Sequence, residues 1–183
     1  MIEMAYIILT APHGSQFLDD VIAPFIVDEL EILLKNQGHE VIPLINRLPR
    51  SFQDMNRPAS RNTSYRKVMD AVLTSQNKPD FLLDIHGFPD NTDSPLKNHD
   101  IVVLRSYPRM QKDLPATYRR LFEKFRVDKL KIGIQNASVE NDVVKQALKN
   151  KVPAILVEHN ELGPVGVFAQ THLLVLNDIL KDK

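Results

Sequence analysis

Apolar runs of strand length alternate with longer segments of helical periodicity along this chain. Six apolar runs cover residues 5–10, 40–45, 80–85, 100–105, 130–135 and 153–158. The first, third and sixth are nearly continuous in apolar residues, which is typical of strands covered on both faces. Helical spacing predicts helices over 17–36, 61–75, 114–126, 140–149 and 167–181. The alternation predicts an α/β fold in which a mostly parallel sheet carries helices on its faces.

Proline and glycine mark the limits of some of these segments. Pro24 interrupts the first helical stripe, so it either begins the main helix or kinks it. Gly38 is suited to ending that helix. The connections 46–60 and 87–98 are longer than a compact domain usually needs, and long polar loops often carry function.

Composition narrows the classes of protein and of site. The 183 residues show no repeat or linker, which predicts a single domain over 1–183. The 23 basic and 23 acidic side chains balance, which argues against a nucleic-acid partner.

The first ten residues carry an acid where a signal peptide is basic, and their apolar run is too short to span a membrane. We therefore expect a cytoplasmic protein with no membrane partner. With no cysteine, any metal site must use His, Asp and Glu.

Candidate chemistry lies where predicted strands end. His13 follows the first strand, His86 follows the third, and Glu158 ends the sixth. Ligands bind beyond the carboxyl ends of strands in open α/β sheets, and these residue types are the ligands and bases of a cysteine-free metal hydrolase. Asp84 precedes His86 by two residues, so on extended backbone it points the same way and is suited to holding the imidazole. Alternatively, Asp84 and His86 only cap a strand end.

Glu158 ends an apolar strand, where partial desolvation would raise its pKa towards that of a general base. The next two residues, His159 and Asn160, either line the same pocket or are structural. We interpret the remaining histidines, His39, His99 and His172, as surface or packing residues.

Residues 46–67 are rich in arginine. Half of the ten arginines in the chain lie there: Arg47, Arg50, Arg57, Arg61 and Arg66. Guanidinium groups bind carboxylates and phosphates through paired hydrogen bonds, so this cluster favours a small anionic substrate. The alternative is a solvated basic surface that touches RNA.

Four motifs in order carry a family resemblance: residues 12–15 (Pro-His-Gly-Ser), 54–58 (Asp-Met-Asn-Arg-Pro), 84–87 (Asp-Ile-His-Gly) and 152–158 (Val-Pro-Ala-Ile-Leu-Val-Glu). Through these four motifs taken together, the chain resembles the N-formylglutamate amidohydrolase family, which is related in fold to the zinc carboxypeptidases. The resemblance implies a three-layer α/β sandwich of the phosphorylase/hydrolase-like type with one zinc ion at the carboxyl edge of the sheet. It also implies hydrolysis of an amide bond next to a carboxylate-bearing amino acid.

The resemblance further implies roles for individual residues. His13 and His86 would bind zinc, and Glu158 would be the catalytic base that activates water. Asn56 and Arg57 would bind the substrate, with Arg57 orienting its carboxylate for catalysis. From the arginine-rich segment we also predict Arg61 as a substrate-binding residue.

The third zinc ligand departs from the related pattern. Zinc carboxypeptidases have a glutamate three residues after the first histidine, whereas this chain has Gln16. Asp19 or Asp20 would then supply the acidic ligand, and we predict Asp20.

Other functions compete with this hypothesis. A metal-free α/β domain would bind a small anion through the Arg47–Arg66 cluster. A nucleotide-binding protein is disfavoured because the first turn lacks both G-x-G-x-x-G and a Walker A lysine. A serine hydrolase using Ser15 with His86 is disfavoured because G-x-S-x-G is absent. For the zinc enzyme, the substrate classes left open are N-formylglutamate, N-acylated amino acids, γ-glutamyl polymers and peptides with a free carboxylate.

Overall fold

A computed structural model describes residues 4–14, 20–49, 52–89, 96, 98–107, 110, 113–125, 129–137 and 141–181. Within these ranges six strands form one sheet: β1 (Tyr6–Ala11), β2 (Glu40–Ile45), β3 (Phe81–Phe88), β4 (Ile101–Arg105), β5 (Ile132–Asn136) and β6 (Ala154–Asn160). Their order is β2-β1-β3-β6-β4-β5. The neighbouring pairs are parallel except β4 with β6, so the predicted mostly parallel, mixed sheet is confirmed.

Helices cover both faces of this sheet. They are α1 (Ala23–Asn36), α2 (Ser64–Leu73), α3 (Leu114–Phe125), α4 (Asp142–Lys149) and α5 (Val165–Leu180), with a short 3-10 helix at Pro58–Asn62. Buried residues of α1, α3 and α5 share one hydrophobic cluster with the sheet, and those of α2 and α4 share the other. The predicted three-layer sandwich is therefore confirmed. No helix in the described ranges is both long and apolar enough to cross a membrane.

The first helix begins later than its periodicity predicts. Pro24 lies in the first turn of α1, so it begins the helix and does not kink it. The predicted residues 17–19 lie outside the described ranges, and Asp20–Ile22 form a turn in which the Ala23 N–H donates to the Asp20 carbonyl at 3.0 Å. At the other end Gly38 adopts φ +88°, which agrees with its predicted role as a helix stop.

Two further boundaries differ from prediction. The continuous helix predicted from residue 61 is wrong in its first turn, because Thr63 is extended and its hydroxyl accepts the Arg66 N–H as the cap of α2. Strands β3 and β6 each run two to three residues further than predicted, since they remain paired as far as Phe88 opposite Asn160. His86 therefore lies inside a strand and not after it.

The strand order reverses between β1 and β3, the position at which open α/β sheets form a ligand crevice. The chain passes from β1 to β2 on one side and then returns to form β3 on the other side of β1. Ligands bind at such reversals, outside the carboxyl ends of the strands. His13 lies just beyond the end of β1, and His86 lies near the end of β3, so both flank this crevice.

Candidate metal centre

Three buried side chains converge at the crevice. The Nδ1 atoms of His13 and His86 lie 3.3 Å and 3.0 Å from the same atom, Oδ2 of Asp20. One potential ligand atom from each residue lies within 4.8 Å of the other two. Two imidazoles and one carboxylate form a donor set of the kind that binds zinc in proteins. These residues fit a metal ion, and they are the three that the sequence analysis named as ligands.

Local backbone conformation brings Asp20 to the histidines. Asp20 has φ +36°, a left-handed conformation that residues other than glycine rarely adopt. Its carboxylate thereby lies between the two imidazoles, directly before the first turn of α1. Such strain persists where the surrounding structure enforces it, and it is concentrated at functional sites.

A second layer of polar groups orients the histidines. His13 Nε2 lies 2.7 Å from Oδ1 of Asp54, and His86 Nε2 lies 3.3 Å from Oδ2 of Asp84. The Nδ2 atom of Asn56 also lies 2.8 Å from His86 Nε2. Both rings thus direct Nδ1 inward and Nε2 towards a carboxylate, the arrangement that fixes the orientation of metal-binding imidazoles.

Asp84 is completely buried, and hydrogen bonds hold it in place. It accepts the Thr10 hydroxyl on Oδ1 at 2.6 Å and the Asn141 amide on Oδ2 at 2.8 Å. A buried carboxylate requires such donors because it has lost its water. Asp84 is therefore rigid enough to orient His86.

The cluster shifts the pKa values of its members. Burial alone would raise the pKa of Asp20, but hydrogen bonds from His13 and His86 and their charge lower it below its ordinary value. Burial opposes protonation of His86, yet Asp84 and Asp20 raise its pKa well above the ordinary value. For Asp54, the opposing effect of burial is overcome chiefly by the bond to His13, which lowers its pKa to about 2. Asp20 and Asp54 are thus held ionised beside the imidazoles.

Glu158 lies beside this cluster in the sheet. It is paired in register with His86 on the neighbouring parallel strand, so both side chains project from the same face. Burial raises the pKa of Glu158 to about 7, with a further increase from Asp20 and Asp84 and an opposing effect of His86. A carboxyl group with this pKa can accept and release a proton near neutral pH.

The three residues predicted to bind substrate lie in different surroundings. Arg57 Nε is 3.4 Å from Oδ2 of Asp54, and its side chain is 42% exposed, so it lies at the exposed edge of the centre, which we call its entrance. The Asn56 amide contacts His86, as described above. Arg61 forms paired bonds of 3.0 Å and 2.5 Å with Asp142 and does not join the cluster. Substrate binding by these three residues stays a prediction.

His159 belongs to a buried chain of hydrogen bonds. Its Nδ1 donates to the His86 carbonyl at 3.1 Å, and its Nε2 lies 2.8 Å from Nε2 of His172. Nδ1 of His172 accepts the Tyr118 hydroxyl at 2.7 Å. All groups are satisfied when both imidazoles are neutral, so the role of His159 and His172 is structural. Burial is the main cause that lowers the pKa of His159 to about 4 and that of His172 well below its ordinary value.

Because His159 and His172 are held neutral in this hydrogen-bonded chain, we expect the folded protein to lose stability in acid. The unfolded protein binds protons at both histidines below about pH 6.5, whereas the folded protein resists them. For His159 alone, the free energy of unfolding should fall by about 3 kcal/mol as the pH drops from 6.5 to 4. Urea unfolding of wild type and His172→Phe between pH 7.5 and 5 tests this. The variant should be less stable at pH 7.5 yet lose less on acidification, and parallel curves would contradict the assignment.

Gly87 allows the Asp20 turn to approach β3. A Cβ at Gly87 would lie 3.1 Å from Cα of Asp20, 3.2 Å from a methyl carbon of Ile22 and 3.3 Å from Cγ of Glu161. The Glu161 carboxylate also accepts the Val21 N–H at 3.3 Å. The turn is therefore held against the backbone of β3 next to His86.

If the centre holds a metal ion, we expect Gly87→Ala to displace Asp20 and weaken metal binding about tenfold, as changes behind metal ligands commonly do. Overpacking should cost about 1–3 kcal/mol of stability. Chelator competition and urea unfolding measure the two effects. Gly166→Ala is the matched control, since a Cβ there meets nothing within 4 Å. Equal metal affinities for the two variants would show that this contact does not position Asp20.

Sequence reasoning did not assign Asp54 or Asn141 to the centre. Asp54 lies in the motif 54–58, but its contact with His13 spans 41 residues and follows from the fold. Asn141 caps α4 through the Val144 N–H at 2.8 Å and donates to Asp84 from the same amide. A cap signal was present in the sequence, whereas the bond to Asp84 depends on how α4 packs.

Fold and site together define a three-layer α/β protein with a His-Asp-His cluster at the topological reversal of its sheet. No known protein-family model matches the chain, and no curated protein matches it. Solved structures do share its fold. They include the CwlD amidase from Clostridioides difficile, in complex with the GerS lipoprotein, with 12% identity, a TM-score of 0.58, and coverage of 95% of this chain and 96% of that chain.

Two other solved structures extend this comparison. The N-acetylmuramoyl-L-alanine amidase AmiC2 of Nostoc punctiforme has 13% identity, a TM-score of 0.58, and 95% of each chain covered. The D,L-carboxypeptidase Csd4 of Helicobacter pylori, bound to mDAP, has 14% identity and a TM-score of 0.62; the match covers 97% of this chain and 51% of that one. The chain thus shares a fold with amidases and a carboxypeptidase, in agreement with the fold relation that its motifs imply.

Proposed function

We propose that this protein is a zinc-dependent hydrolase of amide bonds. The observation that carries the proposal is the convergence of His13, Asp20 and His86 on one point, with Glu158 in register beside His86. Zinc bound there would polarise the scissile carbonyl and lower the pKa of water. The amidases and the carboxypeptidase of the same fold support this reaction class.

Different side chains of the centre would bind the metal, orient the imidazoles and transfer the proton. His13, His86 and Asp20 would hold the metal. Asp54 contacts the outward Nε2 atom of His13, and Asp84 and the Asn56 amide contact that of His86, so both rings keep their orientation. Glu158 would take a proton from the attacking water and pass it to the leaving amine, a transfer suited to its raised pKa.

Arg57 would select the substrate. Its partly exposed guanidinium lies beside Asp54 at the entrance, where it can bind a carboxylate of the substrate in paired hydrogen bonds. We therefore propose an N-acyl amino acid or a γ-glutamyl-type carboxylate as substrate, as for an N-formylglutamate amidohydrolase. The muramoyl-alanine amide bond named for AmiC2 is a further candidate of the same chemistry. A cytoplasmic location and the absence of a nucleic-acid partner stay predictions.

The metal-free binding module receives less support from the geometry. The Arg47–Arg66 cluster does not present one anion-binding face, because Arg66 is completely buried and Arg61 is paired with Asp142. Among the described members, Arg57 is the one beside the candidate metal centre.

Zinc content and amidase activity of the purified wild type test the proposal. We expect about one zinc per chain, loss of activity on chelation, and recovery when zinc is returned. N-formylglutamate, a γ-glutamyl dipeptide and a muramoyl-alanine peptide should be compared, each beside its amide lacking the free carboxylate. Less than about half a zinc per chain, with no activity restored by added metal, would overturn the proposal.

A further inference from the structure

A completely buried ion pair lies behind the candidate centre. Arg66 of α2 and Asp142 of α4 are 0% and 1% exposed at their side chains, and their charged atoms lie 2.8 Å apart. Burying two charges costs several kcal/mol per ion before their attraction is counted, and an apolar pair is often as stable. Stability alone therefore does not account for the pair.

Both members of the pair bind one loop. Nη1 of Arg66 donates to the Met55 carbonyl at 3.1 Å, and the Asp142 N–H donates to the Asn56 carbonyl at 3.1 Å. We call residues 54–57 the site loop. Its Asp54 contacts His13, and its Asn56 contacts His86. The backbone between these two side chains is therefore hydrogen-bonded to α2 through Arg66 and to α4 through Asp142.

We propose that the Arg66–Asp142 pair is a clamp that positions the site loop, and through it the imidazoles of His13 and His86. The zinc part of this inference rests on the proposed function. Arg66 and Asp142 touch neither histidine in the described contacts, so they are positioning residues and not catalytic ones.

The clamp depends on the shape of the guanidinium. One Nη atom of Arg66 reaches the Met55 carbonyl, while the other bonds to Asp142 and to the side-chain oxygen of Gln146. A rigid fork can bridge these partners, whereas an ammonium group is a point charge and an apolar side chain donates nothing. The Met55 carbonyl would then keep the Ser60 hydroxyl, at 3.0 Å, but lose the bond that ties it to α2.

Arg61 provides a matched control. It pairs with the same carboxylate of Asp142 from the outer side, with a side chain that is 50% exposed. No described bond joins it to the site loop. Arg61→Met therefore removes one arginine from Asp142 without removing the clamp.

The test compares the apolar double variant Arg66→Met/Asp142→Leu with Arg61→Met and wild type. Two properties are measured: hydrogen exchange of the Asn56 and Arg57 amides in metal-free protein, and zinc affinity by chelator competition. Both amides donate to Asp54, so their exchange reports order within the loop. We expect the double variant to fold, to exchange these amides at least tenfold faster, and to bind zinc about tenfold more weakly. Arg61→Met should match wild type in both.

A folded double variant with wild-type exchange and zinc affinity would overturn the clamp, as would an equal effect of Arg61→Met. If the double variant does not fold, Arg66→Lys decides: it keeps the charge but not the fork, and unchanged loop exchange in it would also overturn the inference. If wild type binds no zinc, the proposed function fails, while the exchange measurement still decides whether the pair positions the loop.

Discussion

Replacing His86 with alanine is expected to abolish zinc binding and, with it, amidase activity. Changes to groups behind a metal ligand already weaken binding by about 10–100-fold, so removal of the ligand itself should cost more than about 100-fold. Nδ1 of His86 is 3.0 Å from Asp20, and no other described side chain supplies an imidazole at that position. Zinc content after dialysis and chelator competition measure the loss.

His39→Ala is the control for this variant. His39 is also a buried histidine, but its Nδ1 accepts the Ala5 N–H at 3.1 Å and it lies outside the cluster. It should lose some stability and keep zinc. If His86→Ala retained zinc as well as His39→Ala does, the assignment of the centre would be wrong.

The second large effect is expected for Glu158→Gln. This variant should keep zinc yet lose about 10²–10⁴-fold in rate, because glutamine has nearly the same shape but cannot take a proton from water. Steady-state rates and zinc content, measured on the same preparation, separate this outcome from metal loss. Glu31→Gln is the control, since Glu31 forms a surface ion pair with Lys35 on α1.

The pH profile gives an independent check on the same residue. Burial raises the pKa of Glu158 to about 7, and only its ionised form can accept a proton. The wild-type rate should therefore fall as the pH is lowered through that region, whereas the residual rate of Glu158→Gln should lack this dependence. A variant that kept both the rate and the acidic decline would exclude Glu158 as the base.

Strand positions could be predicted well because their cause is local. Both faces of the central strands are covered, so their sequences are continuous apolar runs, and polar residues at their ends are conspicuous. Since the carboxyl ends of parallel strands share an edge, His13, His86 and Glu158 could be assigned to one site before any contact was known. Asp20 was one of two candidates, with Asp19, for the acidic ligand that the resemblance to zinc carboxypeptidases implies, because Gln16 stands where those enzymes have a glutamate.

The rest of the centre could not be predicted because it depends on tertiary packing. Arg57 and Arg61 belong to the same basic segment, yet one lies at the entrance and the other pairs with Asp142, which is 81 residues away. The end of β3 was placed too early because pairing with β6 extends it beyond its apolar run. The local sequence does not indicate that Arg61 pairs with Asp142 or that β3 pairs with β6 beyond its apolar run.

The carboxylates around the imidazoles also determine the charge balance of the centre. The centre contains three carboxylates, on the buried Asp20 and Asp84 and on Asp54, whose side chain is 21% exposed. A divalent cation would offset two of their negative charges. Arg57 beside Asp54 supplies the remaining positive charge, and Glu158 adds a negative one only when it releases its proton. A loaded centre would thus be formally neutral while Glu158 keeps its proton, and would carry one negative charge when Glu158 is ionised as the base. The charge that an anionic substrate meets would therefore depend on the protonation of Glu158.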